Sequence, residues 1–437
     1  MSIEVITILL FASLLILLAL KVPVAMALGG ITVVFTYFLW GPQGLANIPL
    51  VVFRQVSPTL LALPLFLLMA SVLERSGIAD ALYEAIYRWT SFLAGGLAMG
   101  TVMISTIFAA MSGVSGAATV SMGLIAIPSM LKRNYSKFLA TGSVAAGGVL
   151  GIVIPPSVIM IIYASITKQS VGQMFFGGIV PGLVIAAMHI GYIYIACRRN
   201  PSLGPPIPVE ERVDMKERIA SLKYLILPAI LIFTVLGSIY TGIATPSEAA
   251  GIGAFGAFIC AAVNKRFNWD LINHTIRSTL AITCMVMWIV AAASAFNATY
   301  IALGGRDLVV GLVDDLEVNK WLIILAMHIF LFIAGMIMDD YAVVMLAAPI
   351  FAPIAVALGF HPIWFGVSFI LNKQMAYLTP PYGFNLFYLK GIVPKEISMG
   401  DIYRSIVPFV IIQALGLLLI MFFPQLVTWL PDMMRMR

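Results

Sequence analysis

Two carboxylates stand side by side in Gly335-Met-Ile-Met-Asp-Asp-Tyr-Ala-Val-Val, a stretch with apolar arms on both sides. At such depth in a membrane, an ionised carboxyl costs on the order of a few kcal/mol unless it is paired or ligates a cation. No basic residue lies close in sequence to Asp339 or Asp340, which leaves a bound cation or a protonated carboxyl. If Asp340 follows Asp339 in a helix, it points about 100° around the axis, so the two cannot face one ion equally. Hard cations prefer carboxylate, hydroxyl and carbonyl oxygens. Two other stretches, 151–160 and 377–387, supply such oxygens by breaking apolar runs with adjacent prolines, Pro155-Pro156 and Pro380-Pro381. Neither proline donates an N–H, and the second pushes the first out of helical geometry, so nearby carbonyls lose their helical partners. Within hydrocarbon those carbonyls need something else to bind. Asp339, Thr379 and the carbonyls around Pro380 therefore form one oxygen-rich set.

A second set lies earlier, in Met111-Ser-Gly-Val-Ser-Gly-Ala-Ala-Thr-Val-Ser. Ser112, Ser115 and Thr119 offer hydroxyls, and the glycines let the backbone turn and bring carbonyls close. The apolar arms on either side, 96–110 and 120–131, look too short to cross a bilayer. A re-entrant hairpin with its tip at membrane depth fits this pattern, as does the close packing that small residues give transmembrane helices.

The elements that position these groups must be membrane helices. The 437 residues are 61% hydrophobic and 10% charged, with mean hydropathy +1.04, more apolar surface than a soluble domain can cover. Runs at 3–20, 24–40, 59–73, 138–164, 174–196, 224–240, 243–263, 279–303, 363–389 and 405–430 predict about ten crossings. Stretches 94–131 and 321–358 each predict a re-entrant pair. The first run lacks a basic leader and reads as a span, not a cleaved signal.

The net charge of +6 follows topology and does not point to nucleic acid. Lys21, Arg75, Arg88, Lys132, Arg133, Arg198, Arg199, Lys265, Arg266, Lys390 and Lys395 fall on one side, which the positive-inside rule makes cytoplasmic. Arg54, Lys168, Arg306 and Lys320 fall on the other, beside Asp307, Asp314, Asp315 and Glu317, while Arg435 and Arg437 run against the rule. Segment 198–223 reads as a cytoplasmic linker, with a short amphipathic helix in its second half.

The chain repeats itself. Pro155 and Pro380 are offset by 225 residues, as are Pro128 and Pro353, and Pro181 and Pro408 are offset by 227. The halves, 1–197 and 224–437, each place a hairpin (94–131, 321–358) before a broken helix (138–164, 363–389). Five steps separate the two broken helices, so they run in opposite directions, making an inverted-topology repeat. Paired broken helices in such repeats point to a transporter's binding site near the midplane. The three cysteines have no metal-ligand spacing, and the four histidines do not cluster. Gly113-Val-Ser-Gly-Ala misses the nucleophile-elbow pattern, and phosphate-loop and dinucleotide signatures are missing too. An enzyme is not expected.

"SGVSGAAT", "GGVLGIVIPPS", "SVGQMFFGGIVPG", "ATPSEAAGIGA", "GMIMD" and "YLTPPYGFNLF", in this order and along almost the whole chain, resemble the large membrane subunit of tripartite ATP-independent periplasmic (TRAP) transporters, within the ion transporter superfamily. The resemblance implies an elevator-type carrier of the bacterial inner membrane, with a scaffold and a moving domain carrying both hairpins. It implies a sodium gradient as driving force, a separate small four-helix membrane subunit and a periplasmic substrate-binding protein that captures an organic acid. It also implies two Na+ sites. One takes Ser112, Gly113 and Ser115 at the first tip with Gly151, Ile154 and Pro155 at its break; the other takes Gly335 and Asp339 with Thr379 and Pro380. The alternative is a partner-independent sodium- or proton-coupled anion symporter of the same superfamily. Polar candidates for the substrate are Thr119, Ser157, Asn297, Lys373, Gln374 and Asn385. Lys373 either faces a substrate carboxylate or snorkels towards water.

Overall fold

The computed structural model describes residues 2–20, 22–55, 58–208, 213–305, 308, 311 and 318–435. Of the charges used for topology, Lys21, Arg306, Asp307, Asp314, Asp315, Glu317 and Arg437 lie outside these residues. Among the described residues the chain is all α, with no strand. In the first half the helices are α1 (Ile3–Ala19), α2 (Val24–Phe35), α3 (Pro42–Gln55), α4 (Ala62–Arg75), α5 (Ile78–Thr90), α6 (Gly96–Ser112), α7 (Ser115–Lys132), α8 (Lys137–Gly148), α9 (Val158–Thr167) and α10 (Val171–Arg199). After α11 (Met215–Ser221) come α12 (Lys223–Tyr240), α13 (Pro246–Val263), α14 (Trp269–Ala302), α15 (Lys320–Ile337), α16 (Asp340–Ala357), α17 (Pro362–Ala376), α18 (Phe384–Ile392), α19 (Met399–Phe422) and α20 (Gln425–Arg435).

Among the described residues, seven helices are long and apolar enough to cross a bilayer, and α4 with α5, bent by 61°, makes an eighth when taken as one span. Two of these, α15 and α16, are hairpin arms, so four of the ten expected crossings fall short: Ile3–Leu18 and Val24–Trp40 are shorter apolar helices, and the other two have a local cause. The two proline breaks cut their spans into α8 and α9 of 12 and 10 residues, and α17 and α18 of 15 and 9. The expectation of short hairpin arms is corrected on length. The arms α6 and α7 run 17 and 18 residues, and α15 and α16 run 18 each, the length of a crossing helix. Their helices continue through the small and hydroxyl residues, so each tip is only two residues long: Gly113-Val114 and Met338-Asp339. In surroundings without water, backbone groups favour staying in the helix ladder.

Helices α3 and α5 were not marked by any unbroken apolar run. In α5 the buried Ile78, Leu82, Tyr83 and Ile86 share one face while Asp80 and Glu84 stay exposed on the other, the pattern of an amphipathic helix. Segment 198–223 is pinned in place: Gly95 N–H donates to Gly204 O (2.8 Å), Ser136 N–H to Leu203 O (2.9 Å) and Ile207 N–H to Ser91 O (3.0 Å). Its helix begins only at Met215, capped by Asp214, and residues 209–212 lie outside the described set.

Two packing groups emerge. Helices α1–α4 pack with α12–α14, joined by Thr36 and Thr299 hydroxyls 2.8 Å apart and by Phe11 edge-on to Phe296 and Tyr300. Helices α6–α10 pack with α15–α20, where Trp364 donates to Ile420 O (3.0 Å) and Lys137 pairs with Asp401 (2.8 Å). Both hairpins and both broken helices belong to the second group. Within it the same order of elements, hairpin then broken helix then long capped helix, occurs once from each half.

Candidate functional site

At the first tip, α6 ends on Ser112 and Gly113 turns the chain with φ +65°. That left-handed conformation is cheap only for glycine. Val114 is extended and Ser115 opens α7. The tip lies directly against the first break. Gly113 O accepts from Val158 N–H at 3.4 Å, a β-carbon on Gly113 would run into the Pro156 carbonyl, and one on Gly151 would sit 3.4 Å from Ser115 N. The break follows a 3₁₀ turn, Val149–Ile152, and contains a cis Pro155-Pro156 bond. Ser112, Gly113, Ser115 and Gly151 are thus brought together with the Ile154-Pro155 break. Ser112 Oγ is buried without a hydrogen-bond partner among the described residues.

The second tip has the same architecture and different chemistry. Met338 and Asp339 are extended, and Asp339 Oδ1 caps α16 by accepting from Ala342 N–H at 2.9 Å. Tyr382 N–H from the second break, with its cis Pro380-Pro381 bond, donates to Met336 O at 3.3 Å. Thr379 Oγ1 donates to Met375 O at 2.9 Å. Asp340 does have a basic partner, contrary to the sequence expectation. Its carboxylate lies 3.1 Å from Lys373 Nζ, with side chains 6% and 0% exposed. The pair is close without being aligned as a hydrogen bond, since neither atom has such a partner. Gly335 makes room for it: a β-carbon there would sit 2.9 Å from Lys373 Nζ. Asp339 forms no ion pair among the described residues. With both carboxyls ionised, two carboxylates and one ammonium would leave one excess negative charge at this tip, softened by the α16 N-terminus.

The remaining sequence candidates divide by whether their polar atoms are already used. Ser157 Oγ donates to Ile152 O (2.6 Å) and caps α9, so it closes the break. Thr119 Oγ1 donates to Asn385 Oδ1 (2.7 Å), and Asn385 Nδ2 donates to Ala145 O (3.1 Å), all buried. These bonds fasten α7 and α8 to the start of α18. Thr119→Val removes the donor but keeps the shape and leaves the amide oxygen of Asn385 orphaned. A loss of about 1–3 kcal/mol follows, to be read as a lower unfolding midpoint of the purified protein; an unchanged midpoint would count against this fastening. Gln374 is buried with both amide atoms unpartnered, while Asn372 Nδ2 donates to His328 O at 2.9 Å. Asn297 sits apart, on a cavity between the two packing groups.

Sequence reasoning missed the Asp340–Lys373 pair. The available signal was one lysine and a second aspartate, both at membrane depth in the same half, each unable to stay charged alone.

Residues 11–426 match the family profile described as Tripartite ATP-independent periplasmic transporter, DctM component. A C4-dicarboxylate TRAP transporter large permease protein DctM from Pseudomonas aeruginosa is 32% identical over 409 residues, covering 93% of this chain and 94% of that protein. A Vibrio cholerae protein of the same description is 31% identical over 438 residues, 94% of each. Among solved structures, the YdaH transporter of Alcanivorax borkumensis superposes with a TM-score of 0.62, covering 93% of this chain and 96% of its own; at 16% identity this is a likeness of fold alone.

Proposed function

This chain belongs to the DctM component family of tripartite ATP-independent periplasmic transporters, and from that premise we propose that it imports an organic acid on a sodium gradient by elevator-type alternating access. The family's large permeases are multi-pass proteins of the bacterial inner membrane and move organic acids; the chain acts as a carrier, not an enzyme. A small four-helix membrane subunit and a periplasmic binding protein complete the system, the latter handing over the acid.

One observation carries the sodium reading. Each hairpin tip is fastened to a proline-broken helix, and each junction keeps an uncommitted oxygen or charge. Among the described residues, Ser112 Oγ has no partner at the first, and Asp339 pairs with no cationic side chain at the second. Ser112, Gly113 and Ser115 with the Gly151, Ile154 and Pro155 carbonyls would take one Na+; Gly335, Asp339, Thr379 and Pro380 would take the other. Such oxygen-only sets suit a hard cation. The packing group holding both hairpins, which we read as re-entrant, is the moving body; α1–α4 with α12–α14 form the scaffold, and the halves are related as an inverted repeat.

Reconstituted with both partners, the permease should take up acid only with sodium outside and inward-directed. Full uptake in choline or potassium buffer, or without the binding protein, would favour the partner-independent or proton-coupled reading. Asp339→Asn tests the second site. Asparagine caps helices as well as aspartate, so the fold survives while the charge is lost. Sodium should then bind about ten- to a hundredfold more weakly, and an unchanged sodium midpoint for uptake would remove Asp339 from the ligands.

A further inference from the structure

A cavity of about 180 Å³ lies where the two packing groups face each other. Helix α14 supplies one wall, through Ser294, Asn297 and Ile301. Ile166 of α9 and Met345 and Pro349 of α16 supply the other, and Val51 of α3 also lines it. Among the described residues, no acidic or basic side chain lines it. Ser294 Oγ is committed to Val290 O at 2.6 Å, whereas the Asn297 carboxamide bonds to no other described residue. Among the described lining side chains, the cavity therefore presents one free amide beside the committed Ser294 hydroxyl, and the rest are apolar.

We propose that this cavity receives the carried acid and that the acid is a monocarboxylate with an apolar body. This deepens the transport reading above and rests on it. A desolvated carboxylate needs charged or hydrogen-bonding partners, and a second one without a counter-charge costs several kcal/mol. The Asn297 amide serves one carboxylate end, and Met345, Pro349 and Ile166 suit a hydrocarbon body rather than a second charge. Cations stand close in sequence to the lining without forming part of it. Arg54 is three residues from Val51 on α3, hence one turn further along the same side of the helix, and Lys168 follows Ile166 by two; both are exposed. They belong to the side expected to face the periplasm, where their charge draws an anion towards the opening while leaving selection to the apolar walls.

The test reads occupancy directly and does not depend on the binding protein's own selectivity. In the complete permease with Cys197, Cys260 and Cys284 replaced by serine, Met345→Cys places a thiol on the apolar wall for maleimide labelling. With sodium present, 3-methyl-2-oxobutanoate should slow labelling, and succinate at the same concentration should leave it unchanged. Adding Asn297→Leu removes a hydrogen bond to a charged group, so the half-protecting concentration of the oxo acid should rise about tenfold or more. Equal or better protection by succinate would overturn the monocarboxylate assignment, and labelling indifferent to both acids would overturn the site. If Met345→Cys fails to fold, Ile301→Cys on the opposite wall gives the same readout. Sodium-driven uptake, measured separately, distinguishes failure of this site from failure of the transport reading: protection without sodium-driven uptake would leave the cavity standing and refute the coupling.

Discussion

Lys373→Met is expected to lower stability by about 3–5 kcal/mol, the largest single loss predicted for this protein. The cost comes from what remains. Asp340 is 6% exposed and Lys373 wholly buried, so deleting the ammonium leaves a desolvated carboxylate with no opposite charge. Asp340→Asn should be damaging for the converse reason, leaving a buried ammonium. Removing both charges together should be far milder, because buried ion pairs are often replaceable by neutral groups at little net cost. The signature is therefore a strongly non-additive cycle, with the Lys373→Met/Asp340→Asn double variant more stable than either single. Unfolding midpoints of the four proteins in one detergent decide the matter; additive losses would mean that the two groups do not compensate one another.

Gly113→Ala should abolish uptake while Gly191→Ala leaves it intact. At Gly113, φ is +65°, which costs an L-residue about 1–2 kcal/mol, and the new methyl group meets the Pro156 carbonyl. That carbonyl belongs to the break, so relieving the contact means parting the tip from it and disrupting the oxygens gathered there. Gly191 lies within α10 with nothing near enough to obstruct a β-carbon. Alanine there is tolerated and stabilises by up to about 1 kcal/mol. Comparing uptake per molecule of inserted protein separates the two substitutions; normal uptake by Gly113→Ala would show that tip and break do not act as one unit.

The breaks and the doubled order of elements were legible because they depend on local chemistry. Adjacent prolines cannot continue a helix wherever they fall, and the structure interrupts its spans at Pro155-Pro156 and Pro380-Pro381. The hairpin arms were misjudged because Ser112, Ser115 and Thr119 read as loop residues, yet the helices run almost to the tip. The Asp340–Lys373 pair was hidden for a different reason. Thirty-three residues separate the partners in sequence, and only the packing of α16 on α17 brings them together. Polar side chains near the breaks all looked available for a ligand. Ser157, Thr119 and Asn385 are in fact spent on the protein's own backbone and on one another, while Asn297 keeps its amide free. Periodicity cannot distinguish a satisfied polar group from an unsatisfied one.

The carboxamide of Asn385 has its partners, Thr119 and the Ala145 carbonyl, in the other half of the chain. The ribosome makes those partners first, so the earlier helices reach the bilayer with receptive groups whose match is still some 240 residues from synthesis. Until Asn385 arrives, the buried Thr119 hydroxyl lacks this acceptor at membrane depth, although Ala145 O is already held by Val149 N–H, and a chain truncated before it never gains the bond. The later half expressed alone would bury the amide with neither partner, at about 1–3 kcal/mol for each orphaned group. Despite its doubled order of elements, this permease is not two modules laid end to end; each half is an unfinished molecule that the other completes, and a premature stop yields a natural target for membrane quality control.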